Sequence, residues 1–310
     1  MGKATIGWDN LFTYDSLVHA MAGSAGGVTA MTTFYPLDIV RSRLQVDDLA
    51  KGKNTWALIK EILDSEGLEG LYRGLEPVLI SLCASNFVYF YSFHGLRAMF
   101  KNSEPSALRD LFLGSIAGTF NVLLTTPLWV VNMRMKMQGA KLKNGGEMTR
   151  NTPRYKNIFH GIYKIASTEG VPALWAGAIP SLVLVTNPAI QFMIYENLKR
   201  RTQLWTGKEQ IKGSNALLLG AISKSLSTIL TYPLQLVQSK LRYGSEDVKN
   251  KNMMQVIRMI LLRNGPGGLY KGMEAKLYQT VLATALMFFT YEKIAAFVFT
   301  IMKGSRKMKK

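Results

Sequence analysis

The run YPLDIVRSR places one acid and two bases, Asp38, Arg41 and Arg43, just after Pro36 at the end of an otherwise apolar stretch. A carboxylate and a guanidinium at this spacing suit ion pairs that make and break, because a half-wet pair adds little net stability. Two more cations, Lys224 and Lys276, are isolated in apolar surroundings. A lysine in such a segment is expensive to keep and is by default functional. Both could hold phosphates by charge and hydrogen bonding. Asn86, Asn187, Gln191 and Gln279 are polar companions in similar apolar runs. The lone Cys83 forbids a disulfide within the chain, and three scattered histidines suggest no metal cluster. No Gly-x-Ser-x-Gly, phosphate-cradling loop or nucleophile–base pair is placed by the sequence, so an enzyme is the weakest reading.

The elements that must position these residues come from a repeat. TTFYPLDIVRSRLQ around Pro36 has counterparts in TTPLWVVNMRMKMQ around Pro127 and TYPLQLVQSKLRYG around Pro233. Each has Pro-Leu at the same point, and Arg43, Arg134 and Lys240 follow at one common offset. Upstream, Gly23/Gly27, Gly114/Gly118 and Gly220/Lys224 share offsets. Small residues at this spacing let helices approach closely; Lys224 takes the second glycine's place in the third repeat. The Gly-rich AGSAGGVTA has no strand pattern before it, so helix packing suits it better than dinucleotide binding. Downstream, SEGLEGLYRG, TEGVPALWAG and RNGPGGLYKG end at Gly74, Gly177 and Gly272. Last come FYSFHGLR, MIYENLKR and FTYEKIAA.

Each repeat reads as a long helix, a polar loop with a short amphipathic helix, and a second long helix. The expected boundaries are 14–101, 106–201 and 212–300, with an N-terminal extension 1–13 and a basic tail 301–310. Apolar runs such as Leu111–Trp129, Ile179–Ile194, Ala216–Leu236 and Leu277–Phe289 carry Gly, Ser, Thr and Asn. That mixture suits membrane helices with one face to lipid and one to a polar interior. The expected class is an all-α membrane protein with six transmembrane helices in three tandem pseudo-three-fold repeats. The net charge of +18 would otherwise suggest nucleic acid, but no binding motif accompanies it; the basic tail KGSRKMKK suits anionic headgroups. The N-terminus reads as neither a secretory signal nor a transit peptide. Pro36, Pro127 and Pro233 are expected to kink their helices, so that three bent helices converge and shut a cavity at one end.

The whole pattern resembles the mitochondrial carrier family. Pro36, Asp38, Arg41 and Arg43 match the family's P-x-[D/E]-x-x-[K/R]-x-[R/Q] in full. The second repeat has Trp129 and Asn132 in the acid and base places, and the third has Gln235 and Gln238. Pairing neighbouring repeats, the resemblance implies Asp38 against Gln238, Arg41 against Trp129 and Asn132 against Gln235, with no complete ion pair at this gate. At the opposite gate, Glu196 and Lys199 match the family's [F/Y]-[D/E]-x-x-[K/R]; Tyr291 and Glu292 match, with Ala295 replacing the base. Phe93 is followed by His94 rather than an acid, and Arg97 holds the basic place. One charged pair, Glu292 with Arg97, is implied there.

The resemblance also implies solute contacts at Leu82 and Cys83, Leu184 and Val185, and Thr280 and Val281. PLWVVN and PSLVLVTNPAIQFMIYE resemble the branch carrying flavin, folate, pyridine-nucleotide and pyrimidine-nucleotide cofactors, and above all its peroxisomal member. That implies a monomeric antiporter of anionic nucleotide-type solutes (CoA, FAD, FMN, NAD, AMP and ADP) in the peroxisomal membrane, in contact with lipid and delivered by a peroxisomal membrane-protein import receptor. A mitochondrial flavin or folate carrier and a non-transporting scaffold on the same fold are the alternatives.

Overall fold

A computed structural model describes residues 28–46, 54–99, 107–140, 154–207 and 213–286. Among them the regular structure is helical, with no strand. Among the described residues the helices include α1 (Tyr35–Val46), α2 (Thr55–Leu71), α3 (Leu75–Met99), α4 (Ala107–Met137), α5 (Ile158–Thr168), α6 (Ala178–Leu184), α7 (Asn187–Thr206), α8 (Gly213–Tyr243) and α9 (Met253–Asn264). Short 3₁₀ helices cover Val171–Trp175 and Pro266–Tyr270, and residues 28–33 and 273–286 are also helical. The chain divides into two compact units. The larger is 36–277; the smaller combines 1–35 with 278–310. In the smaller, Phe34 N–H donates to the Ala30 carbonyl at 3.1 Å, and the Thr284 hydroxyl to the Thr280 carbonyl at 2.7 Å.

Two stretches among the described residues, Leu108–Met137 and Val171–Thr206, are long and apolar enough to cross a membrane. Phe87, Tyr91, Phe112, Leu124 and Leu230 stand exposed on the long helices, as a lipid-facing surface requires and a water-facing one would not favour. Pro127 and Pro233 lie inside the continuous helices α4 and α8. Pro36 instead falls in the first turn of α1, where no intrahelical N–H bond is needed. Helical residues 28–33 precede it, with one turn residue, Phe34, between the two segments.

The short helices start from asparagines. Asn157 accepts the His160 N–H at 2.8 Å and caps α5. Asn252 forms a reciprocal capping box with Gln255 at the start of α9. Such caps satisfy amides that the first turn leaves orphaned. Their apolar faces bury against the long helices: Ile165 and Leu174 cluster with Val130 and Val131 of α4, and Val256 and Ile260 with Leu236 and Val237 of α8. Val46 of α1 meets Met133 and Met137 of α4.

The repeated glycines have a conformational reason. Gly74, Gly177 and Gly272 have φ of 77°, 80° and 77°, and Gly67, Gly170 and Gly265 have 70°, 91° and 66°. Only glycine enters this region without cost. A Cβ on Gly177 would also lie 3.1 Å from the Gln238 carbonyl oxygen, and one on Gly272 would lie 3.1 Å from the Tyr232 hydroxyl and 3.2 Å from the Arg41 carbonyl. At Gly177 and Gly272 the segment between the two long helices of one repeat therefore presses onto the proline-bearing helix of another. The Gly-x-x-x-Gly positions differ between repeats. A Cβ on Gly118 would meet Val185 at 2.7 Å and one on Gly114 the Tyr89 hydroxyl at 3.3 Å, whereas Gly220 has open space around it. Gly23 and Gly27 lie outside the described residues.

Candidate functional site

The charges after the prolines form two layers. In the first, Arg43 grips Glu66 with two hydrogen bonds of 2.6 and 2.8 Å, and Arg73 reaches the same carboxylate at 2.8 Å. Arg134 holds Glu169 in the same two-pronged way. The two glutamates come from SEG and TEG, the segments that follow in the same repeats. Parallel bonds from a planar guanidinium to a carboxylate are directional and strong, so these pairs fasten each short segment to its long helix. The third repeat has Asn264 at the glutamate's place. The basic residues of this layer are recognisable in the sequence, but their glutamate partners escaped that reading. The signal was the Glu-Gly dipeptide repeated in two of three copies.

The second layer joins different repeats and runs in the opposite sense to the one expected. Asp38 pairs with Lys136 on α4, not with Gln238. Arg41 donates to Gln235 Oε1 at 3.1 Å, not toward Trp129, and stands 3.9 Å from Asp38 along its own helix. Gln238 donates to Ser181 Oγ at 2.7 Å. Asn132, 1 % exposed, does not meet Gln235, and its amide has no hydrogen-bond partner among the described residues. The acid place of each repeat thus faces the helix of the following repeat. In two repeats the base has moved one helical turn further on: Lys136 lies beyond Asn132, and Arg242 beyond Gln238. Residues four apart share a helix face, so the displaced base still reaches across. The expectation of no complete ion pair at this end is overturned by Asp38–Lys136.

Among the residues expected at the opposite gate, Arg97 lies 3.5 Å from Asp110 in the first turn of α4. Glu196 and Lys199 pair along α7 at 3.6 Å. Glu292, the expected partner of Arg97, lies outside the described residues, as do Tyr291 and Ala295.

A cavity of about 310 Å³ opens among α3, α4, α6, α7 and α8. Asn121, Trp129, Ser181, Gln238 and Arg242 give it a polar, partly aromatic wall. It also touches a break in a long helix: α6 stops at Leu184 and α7 starts at Asn187. Pro188 explains the break, because it has no N–H and its ring collides with the carbonyl four residues earlier. Discontinuous helices are a recurrent device for presenting backbone and side chains to a solute inside a membrane.

The sequence matches the family described as "Mitochondrial carrier protein" three times, over residues 13–104, 103–204 and 209–301. The chain belongs to the mitochondrial carrier family. Among its carrier relatives, "Peroxisomal membrane protein PMP34" of Mus musculus is 49% identical over 94% of this chain and 97% of its own length. The "Peroxisomal nicotinamide adenine dinucleotide carrier" of Arabidopsis thaliana is 32% identical over 90% and 95%, and "Peroxisomal membrane protein PMP47B" of Candida boidinii 26% identical over 95% and 90%. Members of this family transport solutes rather than transform them.

The solute-contact positions expected of a carrier are spread out. Leu184 and Val185 line the cavity. Leu82 and Cys83 do not; Cys83 and Asn86 are exposed on α3. Asn187 accepts the Ser227 hydroxyl and so ties α7 to α8, while Gln191 is half-buried on α7. Gln279 and Thr280 are buried and Val281 exposed, all in the smaller unit. Lys224 is exposed on α8. Lys276 is half-buried and lies within electrostatic reach of Asp38, Arg41, Lys136 and Lys224.

Proposed function

We propose that this carrier exchanges bulky, anionic nucleotide-type cofactors, namely CoA, FAD, FMN, NAD, AMP and ADP, by alternating access. It is a peroxisomal membrane protein, like the PMP34 and PMP47 relatives. One observation supports the solute class: Lys276 lies within electrostatic reach of the cations Arg41, Lys136 and Lys224 as well as of Asp38. Such a cluster attracts phosphates, and low-dielectric walls strengthen the attraction. The name of the Arabidopsis relative, a dinucleotide carrier, supports the same class. The expected roles follow from position. Lys224 and Lys276 receive solute phosphate. Asp38, Arg41, Gln235 and Gln238 belong to the gate beside them, and Arg97, Glu196, Lys199 and Glu292 to the opposite gate. Asn86, Gln191, Leu82, Cys83, Leu184 and Val185 are proposed as further solute contacts in the larger unit, and Gln279, Thr280 and Val281 as solute contacts of the smaller unit.

The test is exchange by the purified carrier in liposomes. Labelled AMP, CoA, FAD or NAD inside should leave only when a nucleotide-type solute is supplied outside. Efflux into solute-free buffer at the same rate would rule out antiport, and no movement of any of the four would rule out the solute class. Lys224→Ala and Lys276→Ala should each slow exchange, by roughly tenfold if each loses one charge-assisted hydrogen bond. Unchanged rates in both single variants and the double variant would remove the lysines from the site.

A further inference from the structure

Arg242 differs from Arg43 and Arg134. Arg43 and Arg134 each hold a glutamate. Arg242 lines the cavity, and its guanidinium contacts no carboxylate among the described residues. Nη2 donates to Ser181 Oγ at 3.2 Å, and the guanidinium carbon lies 5.8 Å from the centre of the Trp129 ring. Nε, shielded from solvent, has no hydrogen-bond partner among the described residues. Another cation, Arg41, acts on it electrostatically. A recessed guanidinium costs free energy unless an anion and hydrogen bonds compensate it, and here the protein supplies a hydroxyl and an aromatic face only.

The surroundings hold this group in place. Ser181 Oγ accepts from both Gln238 and Arg242 and donates to the Gly177 carbonyl at 2.5 Å. With its donor committed, Ser181 has no proton left to offer a solute and acts as a fixed anchor for Arg242. Trp129 lies against the guanidinium, so cation–π attraction orients the fork. A fixed, planar guanidinium with N–H groups that the protein leaves unused matches the oxygens of a phosphate, a geometry that a lysine cannot reproduce. Trp129 stands in the acid place of its repeat, so the base displaced to Arg242 meets an aromatic ring rather than a carboxylate.

We infer that Arg242, oriented by Trp129 and Ser181, is a binding residue for a phosphate group of the transported solute. This rests on the nucleotide-carrier reading and adds a phosphate site, distinct from Lys224 and Lys276, on the wall shared by the second and third repeats.

The experiment compares AMP with adenosine as competitors of labelled AMP exchange in liposomes, because the two differ by the phosphate alone. The wild-type carrier should prefer AMP strongly. Arg242→Gln should raise KM for AMP by roughly ten- to a hundredfold, the loss of a charged hydrogen bond, while inhibition by adenosine stays the same. The preference for AMP should therefore collapse. Arg242→Lys keeps the charge but not the fork; it should fold even if the glutamine variant does not, and should still lose several-fold in KM. Trp129→Phe should keep most of the preference and Trp129→Ala should lose part of it. An AMP-to-adenosine preference unchanged in Arg242→Lys, with wild-type exchange intact, overturns the inference. Absence of AMP exchange in the wild type overturns the nucleotide reading instead, so the two failures are distinguishable.

Discussion

Arg134 and Arg242 are neighbours, and the Arg134 Nε–H points to the Arg242 carbonyl at 3.4 Å. One guanidinium is clasped by Glu169; the other faces a cavity, a tryptophan and a serine. The first neutralises its charge within its own repeat and fastens α5 to α4. The second keeps its charge available between repeats. The difference shows how a carrier separates two uses of the same side chain. Stability comes from bases whose acid is local in the chain, and recognition from bases whose acid place has been given to another residue.

Removing the carboxylate from the structural member should have the largest effect. Glu169→Gln leaves Arg134 as ill-matched as Arg242, without a solute to compensate it. Breaking a buried pair costs about 3–5 kcal/mol. Glu169 is 25 % exposed, so solvent screening reduces the expected loss to about 2–3 kcal/mol. It would be read as a lower thermal midpoint in detergent that added AMP does not restore. A midpoint unchanged from wild type would dissolve the distinction between the two arginines.

The Asp38–Lys136 pair should behave differently, because it joins two repeats. Asp38→Lys and Lys136→Asp should each slow exchange, by roughly ten- to a hundredfold for a lost charged hydrogen bond. The double swap should recover much of that rate. A double variant no better than either single one would mean that the pair does not act as a gate.

The smallest effect belongs to Asp247 and Arg263, which pair at 2.7 Å between the α8–α9 loop and α9, both about half exposed. The Arg263 guanidinium holds the Asp247 carboxyl below the usual carboxylate range. Its contribution is therefore fully present above the unfolded value, about 3.9, and is lost as pH falls through the lower folded value. Exposure and salt screening keep it to less than about 0.5 kcal/mol. Asp247→Asn should leave the thermal midpoint at neutral pH nearly unchanged and remove a small drop on acidification; a large loss at neutral pH would contradict the ranking.

Much of this was legible in the chain itself. The threefold recurrence of Pro-Leu, the following base and the glycine pairs announced helical repeats. The positive φ of Gly67, Gly170 and Gly265, and of Gly74, Gly177 and Gly272, explains why those glycines had to recur. Asn54, Asn157 and Asn252, each after a lysine, start the short helices at matched places, a recurrence that gains its meaning only from the structure.

The sense of the gate was not legible. A repeat states which residue occupies the acid place and which the base place, but not which neighbour each one faces. That choice depends on the order in which the helices pack, and it sends Asp38 to α4 and Gln235 to α1. Nor could fixed offsets reveal that Lys136 and Arg242 act one turn beyond their expected positions. Helical periodicity makes residues four apart equivalent in direction, and only the distance across the interface selects between them. Sequence alone determined the repeat, the helices and the excess of positive charge. Tertiary structure decided which of those charges are neutralised by a local glutamate and which remain to meet a solute, because that depends on where a carboxylate stands in space rather than in the chain.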